Sequence, residues 1–283
     1  MERPRLLSVI GGRPEIIQAA PLTRALRPLL EEVLVHTGQH YDAEMSAGQI
    51  LATELPMPVH NLGVGSRPDE EQLAVGEERL GALMDSERFD AVLVRGDTNA
   101  TVAGARAAVA RGLPLFHVEA GLRSFRADMP EERNRVETDR IADVLFAPTE
   151  TGRANLDSEN VRGAVHVTGD VMCDQLLAWA PRLKPAAEPE DYVLATVHRN
   201  YNTDDPERLA SVLGCLGAAP WRVILPVHPR TRARLDAAGL RPPGNVELRD
   251  PVPYTRMLEL ERGARAIATD SGGVQREAYL WQV

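Results

Sequence analysis

Cysteine is nearly missing from this chain. The 283 residues hold two, Cys173 and Cys215, isolated from each other and from any metal-like pairing. A disulfide framework and a cysteine-based metal site therefore have no footing, and a reduced, cytoplasmic setting is expected. Lysine is scarcer still, with Lys184 the single example, so the basic charge is carried almost wholly by arginine. Positive charge is in deficit overall: 32 Lys and Arg face 41 Asp and Glu, for a formal net charge of −9. That balance argues against a nucleic-acid partner, which favours a basic stripe. No apolar stretch approaches the ~20 residues of a membrane span, so no membrane partner is expected. The opening segment MERPRLLSVI carries no secretory pattern and runs straight into strand-like sequence. The glycine fingerprint G-x-G-x-x-G is missing too, which leaves a dinucleotide cofactor without support.

Alternation is what the chain does have. Short apolar runs at Arg5–Ile10, Glu32–Val35, Ala91–Val94, Leu113–Val118, Val144–Ala147 and Ala164–Val167 read as strands. Between them Pro21–Leu30, Glu70–Asp85, Thr98–Arg111, Glu132–Ala142 and Thr149–Asp157 read as helices. This βα repeat predicts an α/β fold whose parallel sheet is covered on both faces. The proline-rich stretch Ala180–Asp191 interrupts the pattern, after which strands are expected at Tyr192–Val197, Arg222–Val227, Val246–Leu248 and Ala264–Thr269. Pro206–Leu216, Thr231–Ala237 and Tyr254–Glu261 read as the intervening helices. The length suits two domains. The expectation is an N-terminal Rossmann-like domain over 1–179, a linker over 180–191 and a second Rossmann-like domain over 192–283, two doubly wound units facing across a cleft.

The candidate chemistry sits where strands end, the place where open α/β sheets bind ligands. LPLFHVEAGLRSFRADMPEE delivers Glu119 at a strand end, followed by Glu131 and Glu132 on a proline-primed helix start. DAVLVRGDTNAT delivers Asp97 from another strand. A single strand-end acid is as readily a loop carboxylate or a helix cap; two from neighbouring strands favour acid–base work on one substrate. Gly11-Gly12-Arg13-Pro14-Glu15 reads as a tight turn into a helix, with Arg13 projecting towards the cleft. Thr37-Gly38-Gln39-His40-Tyr41 is dense in hydrogen-bonding groups, and reading sugar hydroxyls or serving as a surface turn suits it equally. In the second domain, strands deliver His198-Arg199 and His228-Pro229-Arg230, which favours an anionic ligand. Finally, Thr269-Asp270-Ser271-Gly272-Gly273-Val274 places glycines at a helix start, where backbone N–H groups face an anion, and Glu277 follows about one turn later. The combination suggests a nucleoside diphosphate held by the second domain.

These residues resemble the non-hydrolysing UDP-N-acetylglucosamine 2-epimerases. The likeness rests on GGRPEIIQAAPL, TGQHYDAEMS, RGDTNATVAGA, HVEAGLRSF, MPEERNR, FAPTE, TGDVMCD, TVHRNYNTDDPERL, PVHPRT and TDSGGVQREA, and runs along the whole chain. The resemblance implies a glycosyltransferase-B-like pair of Rossmann-like domains and inversion at C2 of the sugar by elimination and re-addition of UDP. It implies no cofactor and no metal, and a homodimer as the assembly. It makes Asp97, Glu119, Glu131 and His198 the catalytic candidates. Arg13, His228, Ser271, Gly272, Gly273 and Glu277 become contacts to UDP, with the backbone near Met257 close to the uracil. Three local departures stand out: Gln18 where the family usually has lysine, Gly12 where it usually has threonine, and Arg276-Glu277 where it has tandem acids. The family also continues beyond the position of Val283, so the second domain is expected to be incomplete and the chain weakly active as it stands. Readings left open are a UDP-2,3-diacetamido-2,3-dideoxyglucuronate 2-epimerase, a hydrolysing relative, an inactive UDP-sugar-binding remnant and a glycosyltransferase.

Overall fold

A computed structural model describes residues 3–38, 48, 50–188 and 191–283. The chain divides into two compact units, Met1–Gln175 and Leu176–Val283. Unit one is built on a seven-stranded, all-parallel sheet: β1 (Arg5–Ile10), β2 (Glu31–His36), β3 (His60–Asn61), β4 (Ala91–Arg95), β5 (Leu115–Val118), β6 (Val144–Ala147) and β7 (Ala164–Val167), in the order β3-β2-β1-β4-β5-β6-β7. Its helices are α1 (Arg13–Leu26), α2 (Asp69–Ser86), α3 (Asn99–Val109), α4 (Pro130–Ile141), α5 (Glu150–Ser158) and α6 (Val171–Trp179), the last spanning the boundary between units.

The central strands are continuous apolar runs because both of their faces are covered. Leu7, Val9, Val33, Val92, Val94 and Leu115 pack under the alanine-rich face of α3 (Ala100, Ala103, Ala107), while Leu6, Leu93 and Val118 pack on the opposite side. β1 pairs with β2 on one side and β4 on the other, and successive strands wind outward in both directions from this junction. The crevice beyond the carboxyl ends of β1 and β4 is the topological switch point of the sheet.

The second unit repeats the plan on four parallel strands: β8 (Tyr192–Thr196), β9 (Arg222–Pro226), β10 (Val246–Arg249) and β11 (Ala266–Thr269), in the order β10-β9-β8-β11. Its helices are α7 (Asn200–Thr203), α8 (Pro206–Gly217), α9 (Pro229–Ala237), α10 (Tyr254–Gly263) and α11 (Gly272–Trp281). The switch point here lies between β8 and β11. Residues following Ala180 are tied to this unit. Arg262 donates to the carbonyls of Ala180 and Leu183 at 3.0 and 2.8 Å, and the Ala186 N–H donates to the Glu259 carbonyl at 2.9 Å. Glu188 meets Arg249, Arg222 and Arg256 at 2.7, 3.3 and 3.2 Å, and the Arg249 hydrogen bonds hold its carboxyl below the usual range.

Several elements differ from the sequence expectation, which also held no helix at α6 or α7. The first helix starts at Arg13, not Pro21, and runs on through Pro21. Pro14 in its first turn and the Glu15 carboxylate folded back onto the Gly12 N–H make the start. β3 has only two residues, too few to leave a period in the sequence.

Candidate active site

In unit one the site is assembled from adjacent strand ends. Glu15, buried in the first turn of α1, accepts from the N–H groups of Gly11 and Gly12 at 2.7 and 2.6 Å. It also accepts from the hydroxyls of Thr98 and Thr101 at 2.6 and 2.9 Å. One carboxylate thereby joins the turn after β1 to the turn after β4. Burial raises its pKa, and the four donors offset only part of that rise. Behind it the fully buried Arg95 donates to the Val9 carbonyl at 2.8 Å and the Ser8 hydroxyl at 2.6 Å, locking β4 onto β1.

Asp97 follows β4, half-buried. Its carboxylate accepts from Arg135 of α4, and its carbonyl accepts from the Asn134 side chain at 2.9 Å. Arg135 also lies 3.3 Å from Glu132, so α4 is tied to the turn carrying Asp97. Within the MPEE run the two glutamates divide. Glu132 is buried and clamps the preceding loop, accepting from the Ser124 N–H and hydroxyl and the Phe125 N–H, each at 2.9 Å. Burial opposes its ionisation, but those donors and Arg135 win and lower its pKa. Glu131, one residue earlier, stays half-buried at the helix start.

Glu119 ends β5 in the left-handed region, φ 70°, which a non-glycine residue occupies only when its surroundings hold it there. The side chain is buried and accepts from the Gln18 amide of α1. Gly121 follows at φ 80°, and a Cβ there would strike the carbonyl of Gly152 in α5, so the turn after β5 is pressed against that helix. Two residues before Glu119, His117 spans the neighbouring strand end: Nε2 lies 2.9 Å from the Gly96 carbonyl and Nδ1 2.7 Å from Asp139. Both neighbours are acceptors, so both nitrogens donate and the ring is an imidazolium. Burial works against that charge, but Asp139 and the Gly96 carbonyl outweigh it and raise the pKa. Asp139 also accepts from the Gly121 N–H at 3.0 Å and pairs with Arg123 at 2.8 Å. This buried chain fixes the backbone on both sides of the two acids.

In the second unit the turns after β8, β9 and β11 carry the polar groups. His198, after β8, is half exposed with Nδ1 2.7 Å from Asp270, which follows β11. Asp270 also accepts from the N–H groups of His198 and Arg199 at 3.1 and 3.0 Å and from Asn202 at 2.9 Å. Burial resists its charge, but those donors hold its pKa down to about 2. An ionised Asp270 thus orients the His198 ring, leaving Nε2 as its outward nitrogen. His228, after β9, is exposed and caps α9 through Nδ1, 3.2 Å from the Arg230 N–H. The arginines are engaged locally: Arg230 forks onto Asp204 with both bonds at 2.8 Å, and Arg199 donates to the Asp270 carbonyl at 3.3 Å. Ser271 caps α11, and Gly272 and Gly273 open that helix.

The remaining sequence candidates fall as follows. Arg13 is exposed at the start of α1. The Met257 side chain packs in the core with Tyr192, Leu194, Ile224 and Leu260, so only its backbone can face a ligand. The Glu277 side chain is buried in the first turns of α11. Gln39, His40 and Tyr41 lie outside the described residues. Sequence reading missed Glu15, Arg135, Asn134, His117 and Asp270 as parts of the site. Each stood inside a quoted run, but what marks them is a partner from another strand end.

Two doubly wound parallel sheets, each with its polar groups at the switch point, define a protein of the glycosyltransferase-B-like class. The chain belongs to the UDP-N-acetylglucosamine 2-epimerase family, whose sequence model matches residues 24–283. It is 40% identical over 292 residues to a UDP-N-acetylglucosamine 2-epimerase homolog of Methanococcus maripaludis, covering 99% of this chain and 82% of that one. It is also 40% identical over 290 residues to the UDP-2,3-diacetamido-2,3-dideoxy-D-glucuronate 2-epimerase of Pseudomonas aeruginosa, covering 98% and 81%. Among solved structures, the Methanocaldococcus jannaschii UDP-GlcNAc 2-epimerase in complex with UDP-GlcNAc and UDP superposes with a TM-score of 0.87 at 36% identity, covering 99% of this chain and 82% of that one. No helix among the described residues is long and apolar enough to cross a membrane.

Proposed function

We propose that this chain interconverts UDP-N-acetylglucosamine and UDP-N-acetylmannosamine by eliminating UDP and adding it back. Family membership and a solved neighbour carrying UDP-GlcNAc and UDP support the reaction. The observation that carries it within this chain is Glu119, a buried carboxylate held in left-handed backbone beside the turn that bears Asp97.

The C2 proton of the sugar is not acidic, so its removal needs a placed base and support for the departing diphosphate. In the forward step a carboxylate takes the C2 proton, the C2–H electron pair becomes the C1–C2 double bond, and the C1–O pair leaves on UDP. The intermediate is a 2-acetamidoglucal. In the return step a proton arrives at C2 from the other face and the UDP oxygen re-forms the bond at C1. No electrons leave the substrate. Asp97, Glu119 and Glu131 share the proton transfers. His198, oriented by Asp270, steadies charge on the leaving diphosphate, and Ser271–Gly273 with His228 and Arg13 hold the UDP. Glu277 and the backbone at Met257 are assigned to the nucleoside. We take the acting form to be a cytoplasmic homodimer, which light scattering of the purified protein checks.

The test is proton NMR of UDP-N-acetylglucosamine incubated with the protein in D2O. Deuterium at C2 together with UDP-N-acetylmannosamine is the expected result. Free UDP with N-acetylmannosamine would make it a hydrolysing enzyme. Turnover of UDP-2,3-diacetamido-2,3-dideoxyglucuronate alone would move the substrate assignment to that sugar.

A further inference from the structure

Helix α1 aims two polar side chains, Glu15 and Gln18, at the ends of β4 and β5. Glu15 has its donors. Gln18 is 1% exposed, and only half of its amide is used: Nε2 donates to Glu119, while the buried Oε1 meets no hydrogen-bond partner among the described residues. An orphaned buried acceptor is costly, so its presence next to a strained carboxylate calls for a use. The oxygen lies in the switch-point crevice, 3.6 Å from where a Cβ on Gly96 would stand.

We propose that Gln18 is a positioning residue that serves Glu119 in both of its protonation states. The proposal rests on the reading of Glu119 as an acid–base group. With Glu119 ionised, Nε2–H donates to the carboxylate. Once Glu119 has taken a proton, the amide turns about its terminal bond and Oε1 accepts from the new O–H. After C2 is protonated on its other face by a second carboxylic acid, Glu119 releases its proton to solvent, that second group takes one up from solvent, and the amide returns to its first orientation. A side-chain amide offers a donor and an acceptor of similar reach and carries no charge. An ammonium in its place would only donate, and would hold Glu119 ionised. Charged groups near the pair include Glu15 on the same helix, His117 with Asp139 and Arg123 behind β5, and Asp97 with Arg135 at the neighbouring strand end. His117 and Glu119 interact electrostatically. None of these groups duplicates the two-way hydrogen bond of the amide.

The test is the pH dependence of kcat for Gln18→Lys and Gln18→Met, with Glu119→Gln as control and melting temperatures for all. Q18K is expected to move the acid limb of kcat down by about one pH unit, and Q18M, which offers no donor to the carboxylate, to move it up. Q18M is expected to lower kcat roughly tenfold with KM within about twofold, the pattern of an interaction used in the transition state, whereas Q18K, which restores the side chain usual in the family, is read by the shift of its acid limb alone. Methionine matches glutamine in length and carries the test alone if lysine does not fold. Wild-type pH profiles in the folded Gln18 variants, with E119Q inactive, would reduce Gln18 to packing and overturn the proposal. An active E119Q would instead overturn the acid–base reading of Glu119, and the proposal with it.

Discussion

The two units place functional groups at the same topological position and equip it in opposite ways. At the β1/β4 switch point Glu15, Glu119, His117 and Asp139 are all buried, and each is held by partners from other elements. At the β8/β11 switch point the groups stand out towards solvent: the His198 side chain is 50% exposed, and His228 and Gly272 are exposed as well. Asp270 and Glu277 are drawn inside. A polar network excluded from water is organised before substrate arrives and acts on charge that develops later. An open helix start with glycines waits for a ligand to complete it. One fold thus gives a unit suited to proton transfer and a unit suited to holding an anion. Arg199 and Arg230 are already engaged within the second unit, so on the proposed reading an anion there would be met mainly by backbone N–H groups.

The largest expected effect belongs to the first unit. Glu119→Gln should lower kcat by about 10²–10⁴-fold, the usual worth of a placed acid–base group, while UDP affinity measured by calorimetry stays within about twofold. A parallel loss of UDP affinity would erase the division between the units. Asp270→Asn comes next. Asparagine keeps the shape but not the charge that orients His198, and a kcat loss of roughly 10–10²-fold is expected. Its stability signature has a definite sign. The folded pKa of about 2 lies below the unfolded value of 3.8, so the stabilisation is complete above pH ~4 and is lost as pH falls towards 2. The gap in melting temperature between wild type and D270N should therefore shrink as pH is lowered from 6 to 3. A constant gap would show that the charge on Asp270 does no stabilising.

How much of this was written in the sequence follows from the physics of each part. Parallel strands covered on both faces must be apolar, so β1 was legible to the residue and the other central strands to within one or two. β6 and β7 were also bounded to the residue although β7 is largely exposed, and the two-residue β3 was not legible. The acids at strand ends were legible because a strand that runs into Gly-Asp or Glu-Ala exposes its charge at a known edge. The pairings were not legible. Gln18 meets Glu119 across 101 residues and His198 meets Asp270 across 72, and only the order of strands brings them together. The turn at Gly11–Glu15 was legible as leading into a helix, but the helix was bounded at Pro21–Leu30, whereas it runs unbroken from Arg13 through Pro21 to Leu26. Strand-end arginines read as anion ligands turned out to have carboxylate and carbonyl partners nearby, which spacing alone does not reveal.

A third substitution sharpens the binding half of the comparison. A Cβ at Gly272 meets open space, so Gly272→Leu should leave the fold and melting temperature unchanged. Its side chain would stand over the N–H groups that open α11, and a loss of about tenfold in UDP affinity, ~1.4 kcal/mol, is expected. Unchanged affinity would remove Ser271–Gly273 from the diphosphate site.

The smallest expected effect settles which of two jobs His228 performs. Its Nδ1 accepts from the Arg230 N–H and so caps α9, and capping alone is enough to account for a histidine there. It is also exposed after the strand next to the one that delivers His198, a position from which Nε2 could meet a diphosphate. The two roles separate with paired variants. Asparagine is among the best N-cap residues, so His228→Asn keeps the cap and removes only the reach of the ring. His228→Ala removes both, and the lost cap should cost about 1 kcal/mol of stability. If His228 touches UDP, both variants should weaken UDP binding by about threefold while only H228A melts lower. If it is a cap alone, H228N should match wild type in affinity and in melting temperature, leaving anion binding in the second unit to the opening turn of α11 and to His198.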